Sequence, residues 1–168
     1  MAMLMANRRA TSGKVRHWLV KSEPHVFSID DLAQTADQTT HWDGVRNYQA
    51  RNMLRDEMKI GDQVLFYHSN TESPAIVGLA TIVREGYPDH TAFDANDIHF
   101  DPKSDSENPR WFMVDIQFNS KFAMPLTLDD LRKIPALAEM ELLRRGSRLS
   151  VQPVRPAEFA TILKLARN

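Results

Sequence analysis

Aromatic and hydrogen-bonding side chains occur together at three points where a strand ends or a helix begins. Trp42 lies in a polar stretch shortly before Asn47, at the predicted start of a helix. Tyr67 and the polar residues after it end one predicted strand, and Lys21 with Ser22 ends another. Aromatic faces stack on planar groups, while hydroxyl, amide and ammonium groups recognise their edges. The pattern predicts a cup for one planar ligand.

Several of these residues also have a structural interpretation. Asn47 is well suited to cap a helix, and that role is favoured for it. A single histidine at a strand end, such as His68, is usually structural. Arg46 can help to cap the helix, or it can bind an anion. Trp18 and Trp111 lie in strand patterns, which favours core positions for both. The cup is therefore predicted from the combination of residues and not from any one of them.

No strong catalytic motif accompanies the cup. The sequence has no glycine-rich phosphate loop, no G-x-S-x-G nucleophile motif and no H-E-x-x-H zinc motif. Cysteine is absent, which excludes thiol catalysis and cysteine-ligated metals. His90 and His99 lie among aspartates that could hold a metal, but without ligand spacing a solvated acidic loop is favoured. No metal or cofactor is predicted.

The composition predicts one globular domain with, at most, local nucleic-acid contacts. The chain has 168 residues, of which 42% are hydrophobic and 26% are charged, as in ordinary globular proteins. Lys and Arg number 21 and Asp and Glu 22, which gives a formal net charge of −1. Proteins that bind phosphate backbones non-specifically are usually strongly basic. No run approaches the roughly 18 apolar residues of a membrane span, so no membrane partner is predicted.

Helix signals are strongest at the N-terminal ends. Capping boxes begin at Ser28 and at Thr127, and Pro156 is suited to the first turn of a terminal helix. Apolar residues at helical spacing predict two further helices, over 47–58 and 136–144.

Strands are predicted over 18–22, 64–68, 75–84, 111–118 and 148–154. The strand at 75–84 is apolar on both faces, which indicates a closed or covered sheet. Residues 86–89 are expected to end it, and a long polar loop is expected over 90–110. Short strands with helices inserted between them favour an α+β class, with a small, partly open β-barrel.

Longer motifs in the same regions resemble the EVE domain family. They are W-L-V-K-S-E-P from Trp18, W-D-G-V-R-N-Y-Q-A-R-N from Trp42, F-Y-H-S-N from Phe66, F-D-P-K-S from Phe100 and R-L-S-V-Q-P-V from Arg148. The resemblance runs in order from about His17 to the last helix. It implies a PUA-like fold, which is a twisted, partly open β-barrel with surrounding helices. The expected organisation is a disordered tail over 1–16 and one EVE domain over 17–168.

The resemblance also implies a function. EVE domains are similar to YTH domains, which hold a methylated base in an aromatic cage. The expected function is a non-catalytic reader of a modified base, such as methylated or hydroxymethylated cytosine, in DNA or RNA. The ligand-binding residues carried over from the matching motifs are Lys21, Ser22, Trp42, Val45, Arg46, Asn47, Tyr67, His68, Ser69 and Arg148.

Side-chain chemistry suggests a role for most of these candidates. Trp42 or Tyr67 is expected to stack on the base, and Ser22 and Asn47 are expected to read its edge. The basic candidates are expected to meet phosphate or a polar exocyclic group: Lys21, Arg46 and Arg148. A monomer is expected, in the cytoplasm or, in a eukaryote, in the nucleus.

An enzyme is the second hypothesis. Some PUA-like relatives of the ASCH group hydrolyse modified nucleosides with a lysine, a carboxylate and a hydroxyl group, and Lys21, Glu23 and Ser22 supply those types. Alternation along a strand sends Ser22 to the face opposite Lys21 and Glu23, so the three are expected to converge poorly. The reader is therefore favoured over the nucleoside hydrolase.

Overall fold

The structure is a computed structural model and describes residues 15–167. Most of the predicted tail, residues 1–14, lies outside the described residues. Arg16, at the end of that predicted tail, donates its backbone N–H to Asp62 Oδ1 over 3.1 Å. Its guanidinium lies 4.5 Å from the ring centre of Trp18. Contact with the folded chain therefore begins at or before Arg16.

Six strands are present in the described chain. They are β1 (His17–Ser22), β2 (Thr39–His41), β3 (Gln63–His68), β4 (Ala75–Pro88), β5 (Phe112–Thr127) and β6 (Val151–Val154). The α-helices are α1 (Ile29–Gln34), α2 (Tyr48–Asn52), α3 (Leu128–Arg132) and α4 (Pro156–Arg167). A π-helical turn, Met53–Glu57, continues α2. Short 3-10 turns cover Ala36–Gln38, His90–Phe93, Pro135–Leu137 and Glu141–Leu143.

The strands form one mixed sheet in the order β2-β5-β4-β3-β1-β6. β1 and β3 run parallel, and the other neighbours are antiparallel. β2 and β6 are the two edges, so the sheet is not closed. Four register shifts interrupt the pairing of β4 with β5, and such bulges bend and twist a sheet. The predicted α+β class with a partly open sheet is confirmed.

Both faces of the sheet are covered, because successive side chains of a strand point to opposite faces. Trp18 and Val20 of β1 belong to a first core cluster, which α1 and α2 cover. Leu19 belongs to a second core cluster, which α3 and α4 cover with residues such as Leu131 and Phe159. The covered sheet predicted from the apolar strand at 75–84 is confirmed.

Three predicted helix starts are confirmed. Ser28 caps α1 through a capping box with Asp31, Thr127 Oγ1 accepts the Asp130 N–H at the start of α3, and α4 begins at Pro156. These contacts span three residues or fewer, so local sequence is enough to specify them. Trp18 and Trp111 are buried, as predicted.

Several predicted bounds differ from the structure. β4 continues through Gly86 to Pro88, because Tyr87 and Pro88 still pair with β5, and β5 itself runs to Thr127 and not to 118. A Cβ at position 86 would come 2.5 Å from the Leu54 carbonyl oxygen. Gly86 therefore marks a close backbone approach within a strand and not a strand end. Residues 136–144 form two short 3-10 turns instead of one helix, because Met140 is extended between them.

Candidate functional site

A cleft of about 460 Å³ opens where β1 and β2 end, beside the long polar loop. Its volume lies in the range of small-molecule binding sites. The lining residues come from the end of β1 and the turn after it, from β2 and the W-D-G-V-R motif, from the long loop and from the segment before β6. They are Lys21, Ser22, Glu23, Val26, Phe27, Thr40, His41, Trp42, Asp43, Gly44, Val45, Arg46, His99 and Ser150.

Gly44 holds the floor of the cleft against the long loop. Its φ of +80° lies in the left-handed region that favours glycine. Its N–H donates to Asp89 Oδ2 over 2.8 Å. A Cβ at this position would come 2.5 Å from His99 Nε2. Backbone conformation and the close imidazole both restrict this position to glycine.

Arg46 ties the same motif to the long loop with all its hydrogen-bonding capacity. Its guanidinium donates twice to the His99 carbonyl oxygen, at 2.6 and 3.3 Å, and once to its neighbour Val45. It also donates to Asp89 Oδ2 over 3.0 Å and to Thr91 Oγ1 over 3.4 Å. A guanidinium has five N–H donors. These five bonds leave none for the phosphate contact predicted for Arg46, which here positions the loop.

Asp89 is the buried anion at the centre of this network, with 0% of its surface exposed. Burial by itself raises the pKa of the Asp89 carboxyl. Hydrogen bonds from Thr91, Gly44 and Arg46 outweigh burial and hold that pKa below its ordinary value. The carboxylate therefore stays ionised and fixes the W-D-G-V-R motif to the loop.

The acidic residues of the long loop organise its turns. Asp94 accepts the Asn96 N–H, and Asp97 accepts the His99 N–H. Asp101 accepts the indole N–H of Trp111 over 2.6 Å, and this bond lowers its pKa. Within residues 15–167, no three His, Asp or Glu side chains are grouped as metal ligands. These aspartates build the loop that carries His99 to the cleft.

The inner wall of the cleft is aromatic. Trp42 is 9% exposed and belongs to the first core cluster as well as to the cleft. Its ring makes edge contacts with Phe66 at 5.5 Å and with Phe27 at 6.4 Å between centroids. Trp42 therefore offers the cleft only a small part of its surface. The partly buried Phe27 and the exposed Val26 supply further apolar lining.

Lys21, Ser22 and Glu23 all line the cleft, but their polar groups have different neighbours. Burial lowers the pKa of the Lys21 ammonium group, while nearby Glu141 opposes that effect. The Ser22 hydroxyl donates to the Phe27 carbonyl oxygen, and Glu23 accepts a hydrogen bond from the Asn70 amide. No base within the described chain activates the hydroxyl.

Asp43 presents a carboxylate at the rim. Its oxygens lie 3.6 Å from His99 Nδ1 and 3.9 Å from His41 Nε2. No hydrogen bond from the described part of the chain reaches this carboxylate, so its lone pairs are available to a donor on a ligand. His41 also contacts His90 edge to face at 5.1 Å. The rim therefore combines an acceptor with imidazole rings.

Five of the ten candidate residues line the cleft: Lys21, Ser22, Trp42, Val45 and Arg46. Tyr67 is buried in the second core cluster, because its neighbour Phe66 faces the first. His68 Nε2 accepts the N–H of Ile29 over 3.1 Å, and burial lowers the His68 pKa. The backbone N–H of Ser69 donates to Ser22 O.

The last two candidates, Asn47 and Arg148, lie beside the cleft. Asn47 Oδ1 accepts the Ala50 N–H and caps α2, the structural role favoured for it from sequence. Asn47 and Arg148 line a separate cavity that adjoins the cleft. Neither residue lines the cleft itself.

Among the lining residues that sequence reasoning did not select as ligand contacts are Phe27, Asp43 and His99. Asp43 stands inside the W-D-G-V-R motif, so its position beside Trp42 was a usable signal. His99 had none, because it follows Asp43 by more than fifty residues and only the folded loop brings them together.

An open mixed sheet covered by helices, with a cleft at the ends of β1 and β2, defines an α+β fold. The chain belongs to the EVE domain family, whose profile matches residues 16–165. Within residues 15–167, no helix is long and apolar enough to cross a membrane.

Curated and solved relatives agree with that assignment. Human thymocyte nuclear protein 1 is 46% identical over 166 residues, which cover 89% of this chain and 73% of that protein. A hypothetical protein from Leishmania major superimposes with a TM-score of 0.86 at 49% identity, covering 92% of this chain and 96% of that one. The human THYN1 protein in complex with DNA containing 5-methylcytosine superimposes with a TM-score of 0.86 at 46% identity, covering 91% and 98%.

A distant structural likeness bears on the enzyme hypothesis. An ASCH protein from Zymomonas mobilis superimposes with a TM-score of 0.52 at 9% identity. That likeness shows a shared fold and carries no argument about activity.

Proposed function

We propose that this protein is a non-catalytic reader of DNA that carries a modified cytosine, with 5-methylcytosine as the leading candidate. The relative whose solved complex contains 5-methylcytosine DNA is 46% identical to this chain and covers nearly all of it. The observation that carries the proposal in this chain is the pairing of an aromatic wall with the Asp43 carboxylate in one cleft.

Asp43 supplies recognition of the base edge. Cytosine presents an exocyclic amino group, and carboxylates are its usual acceptors in proteins. The Asp43 carboxylate accepts no hydrogen bond from the described residues and lies at the rim, so it is placed to take that amino group. Edge recognition is thereby assigned to Asp43, whereas the Asn47 amide is occupied in capping α2.

The apolar lining supplies recognition of the methyl group. Phe27, Val26 and the exposed part of Trp42 are among the residues that line the cleft. A methyl group on a pyrimidine is recognised through apolar contacts of this kind. A base that enters the cleft must leave its helical stack, which costs a few kcal/mol, roughly, and favours an already unpaired or destabilised position.

Lys21 remains a candidate for a polar contact with the ligand. Its ammonium group is half-buried, so it meets a ligand in a partly desolvated environment. Ser22 can still accept a hydrogen bond through its hydroxyl oxygen while it donates to Phe27. These two residues complete the proposed set around the base.

The proposal is tested by binding measurements on short labelled oligonucleotides that differ only at one cytosine. The series contains cytosine, 5-methylcytosine and 5-hydroxymethylcytosine, in DNA and in RNA of the same sequence. We expect the modified DNA strands to bind more tightly than the unmodified strand. Equal affinity for all members of the series contradicts the proposal.

Binding to RNA, a monomeric state and the compartment stay predictions. The RNA arm of the series tests the first, and sedimentation of the free protein tests the second. The human relative is named a nuclear protein, which suits the expectation of a nuclear location in a eukaryotic cell. Fractionation or a fluorescent fusion in the source cell tests it.

A further inference from the structure

A second cavity, of about 330 Å³, adjoins the cleft. Its lining is polar and basic, and we call it the arginine cavity: Asn47, Gln49, Glu141, Arg144, Arg145, Gly146, Ser147, Arg148 and Leu149. The two cavities share a wall, because Arg46 lines the cleft and Asn47 the arginine cavity, while Ser150 lines the cleft and Leu149 the arginine cavity. The two cavities are therefore neighbours in the fold.

Arg145 and Arg148 differ from several arginines of the described chain. Arg16, Arg46 and Arg55 pair with carboxylates. In contrast, the guanidinium groups of Arg145 and Arg148 are exposed and have no hydrogen bond or ion pair with residues 15–167. Their donors are free for a ligand that is itself negatively charged.

The rest of the cavity fits the same chemistry. Arg144 contributes a third guanidinium, which Glu141 Oε1 approaches to 3.6 Å. Ser147 also lines the cavity, and its Oγ atom is buried without a hydrogen-bond partner in the described chain. A buried hydroxyl without a partner costs free energy. Guanidinium groups with a hydroxyl donor are the usual protein partners of phosphate.

We propose that the arginine cavity binds a backbone phosphate of the nucleic acid, next to the nucleotide whose base enters the cleft. This inference rests on the proposed function, since it takes the cleft to hold that base. It also resolves a difficulty with the net charge of −1, because affinity for the backbone comes from one local site and not from the whole surface. Arg46, whose donors are all used, is not needed for it.

The test compares two variants that lose the same charge. Arg145→Gln/Arg148→Gln removes both free guanidinium groups of the arginine cavity. Lys164→Gln/Arg167→Gln removes two positive charges from the last turn of α4, outside both cavities. Binding of a 5-methylcytosine oligonucleotide and of its unmodified match is measured over a range of salt concentrations, and thermal melting checks that each variant is folded.

We expect the first variant to bind both strands about tenfold more weakly or worse, with an unchanged ratio between them. The slope of log K against log salt should fall by about 0.7 for a single strand or about 0.9 for a duplex, the values for one phosphate that is no longer neutralised. The control variant should keep the wild-type slope. If the two variants behave alike, the proposed phosphate site is wrong.

A second arm locates the phosphate. Replacing one backbone phosphate at a time by a neutral methylphosphonate should weaken wild-type binding most at a linkage beside the modified base. That replacement should have no further effect on the Arg145→Gln/Arg148→Gln variant. Equal sensitivity of both proteins at every linkage overturns the proposal, as does binding of inorganic phosphate in the cavity without any effect on the strand.

The two proposals fail separately. If wild-type protein does not distinguish modified from unmodified cytosine, the proposed function is wrong. The arginine cavity is then judged on the unmodified strand, by the same comparison of slopes between the two variants.

Discussion

Arg46 and Asp89 form an ion pair of 3.0 Å between Nη1 and Oδ2, although 43 residues separate them along the chain. The pair joins the segment after β2 to the start of the long loop. Through the His99 carbonyl, the same guanidinium also fixes the part of the loop that lines the cleft. The shape of the cleft therefore depends on a contact that touches no ligand.

The first prediction concerns this ion pair. Asp89→Asn keeps the size of the side chain but removes the charge, so a buried guanidinium contact is left uncompensated. We expect the free energy of unfolding to fall by about 3 kcal/mol or more at neutral pH. The matched control is Asp30→Asn, which breaks the exposed pair with Lys121 and should cost about 1 kcal/mol or less. Urea unfolding measures both.

At low pH, the wild type should no longer be more stable than Asp89→Asn. The pKa of this carboxyl is lower in the folded protein than its ordinary value, which is about 3.9 for an unfolded chain. Its stabilisation is fully present above that value and is lost as the pH falls through the folded pKa. The gap between wild type and Asp89→Asn should therefore narrow below about pH 4, and a gap that widens in acid contradicts the assignment.

The second prediction concerns Gly44. Gly44→Ala should destabilise the protein and weaken ligand binding, because the new Cβ displaces His99 from the cleft. Gly61→Ala is the control, since Gly61 also has a positive φ, of +93°, but a Cβ there meets nothing within 4 Å. Placing alanine in the left-handed region costs about 1–2 kcal/mol of stability at both positions. Only Gly44→Ala should lose more stability than that. Equal unfolding energies for the two variants would show that His99 moves aside freely.

The third prediction concerns the Asp43 carboxylate. Asp43→Ala should reduce the preference for cytosine bases by about 1–3 kcal/mol, the usual value of a good base contact. Asp43→Asn should recover part of it, because its amide oxygen still accepts a hydrogen bond. Glu72→Ala removes the same charge at an exposed position outside the cleft and should leave binding unchanged. Parallel losses in Asp43→Ala and Glu72→Ala would point to long-range charge instead.

The fourth prediction separates core packing from ligand contact. Phe27 and Phe118 are both partly buried against the first core cluster, but only Phe27 lines the cleft. Phe27→Ala and Phe118→Ala should therefore lose similar amounts of stability. Affinity for the modified strand should fall by about 1–3 kcal/mol in Phe27→Ala alone. Unchanged affinity in that variant would remove Phe27 from the site. Trp42→Ala is a poorer test, because Trp42 is itself a core residue.

The fifth prediction concerns catalysis. Acetylated cytidine should remain unchanged after long incubation, because the Ser22 hydroxyl donates to a carbonyl and not to a base. Chromatography detects the deacetylated product, and Lys21→Ala and Glu23→Ala serve as comparison proteins. Turnover by the wild type that disappears in both variants would favour the nucleoside hydrolase.

The sequence by itself specified the features that depend on neighbours within a few residues. Ser28, Asn47 and Thr127 cap helices because each side chain reaches an N–H only three residues away. Strand patterns placed Trp18 and Trp111 in the core correctly. The family motifs also led to the correct fold, because they occur in order along the chain from β1 to β6.

Only the tertiary structure decided which candidates meet in the cleft. Alternation shows that Phe66 and Tyr67 point to opposite faces of β3, but not which face borders the cleft, since that depends on the helices packed on each side. The partners of Arg46 lie up to 53 residues away. Such contacts form only when the strands and the long loop are assembled. Side-chain type and spacing could therefore suggest that Arg46 binds a ligand, but could not show that all its N–H donors are already used.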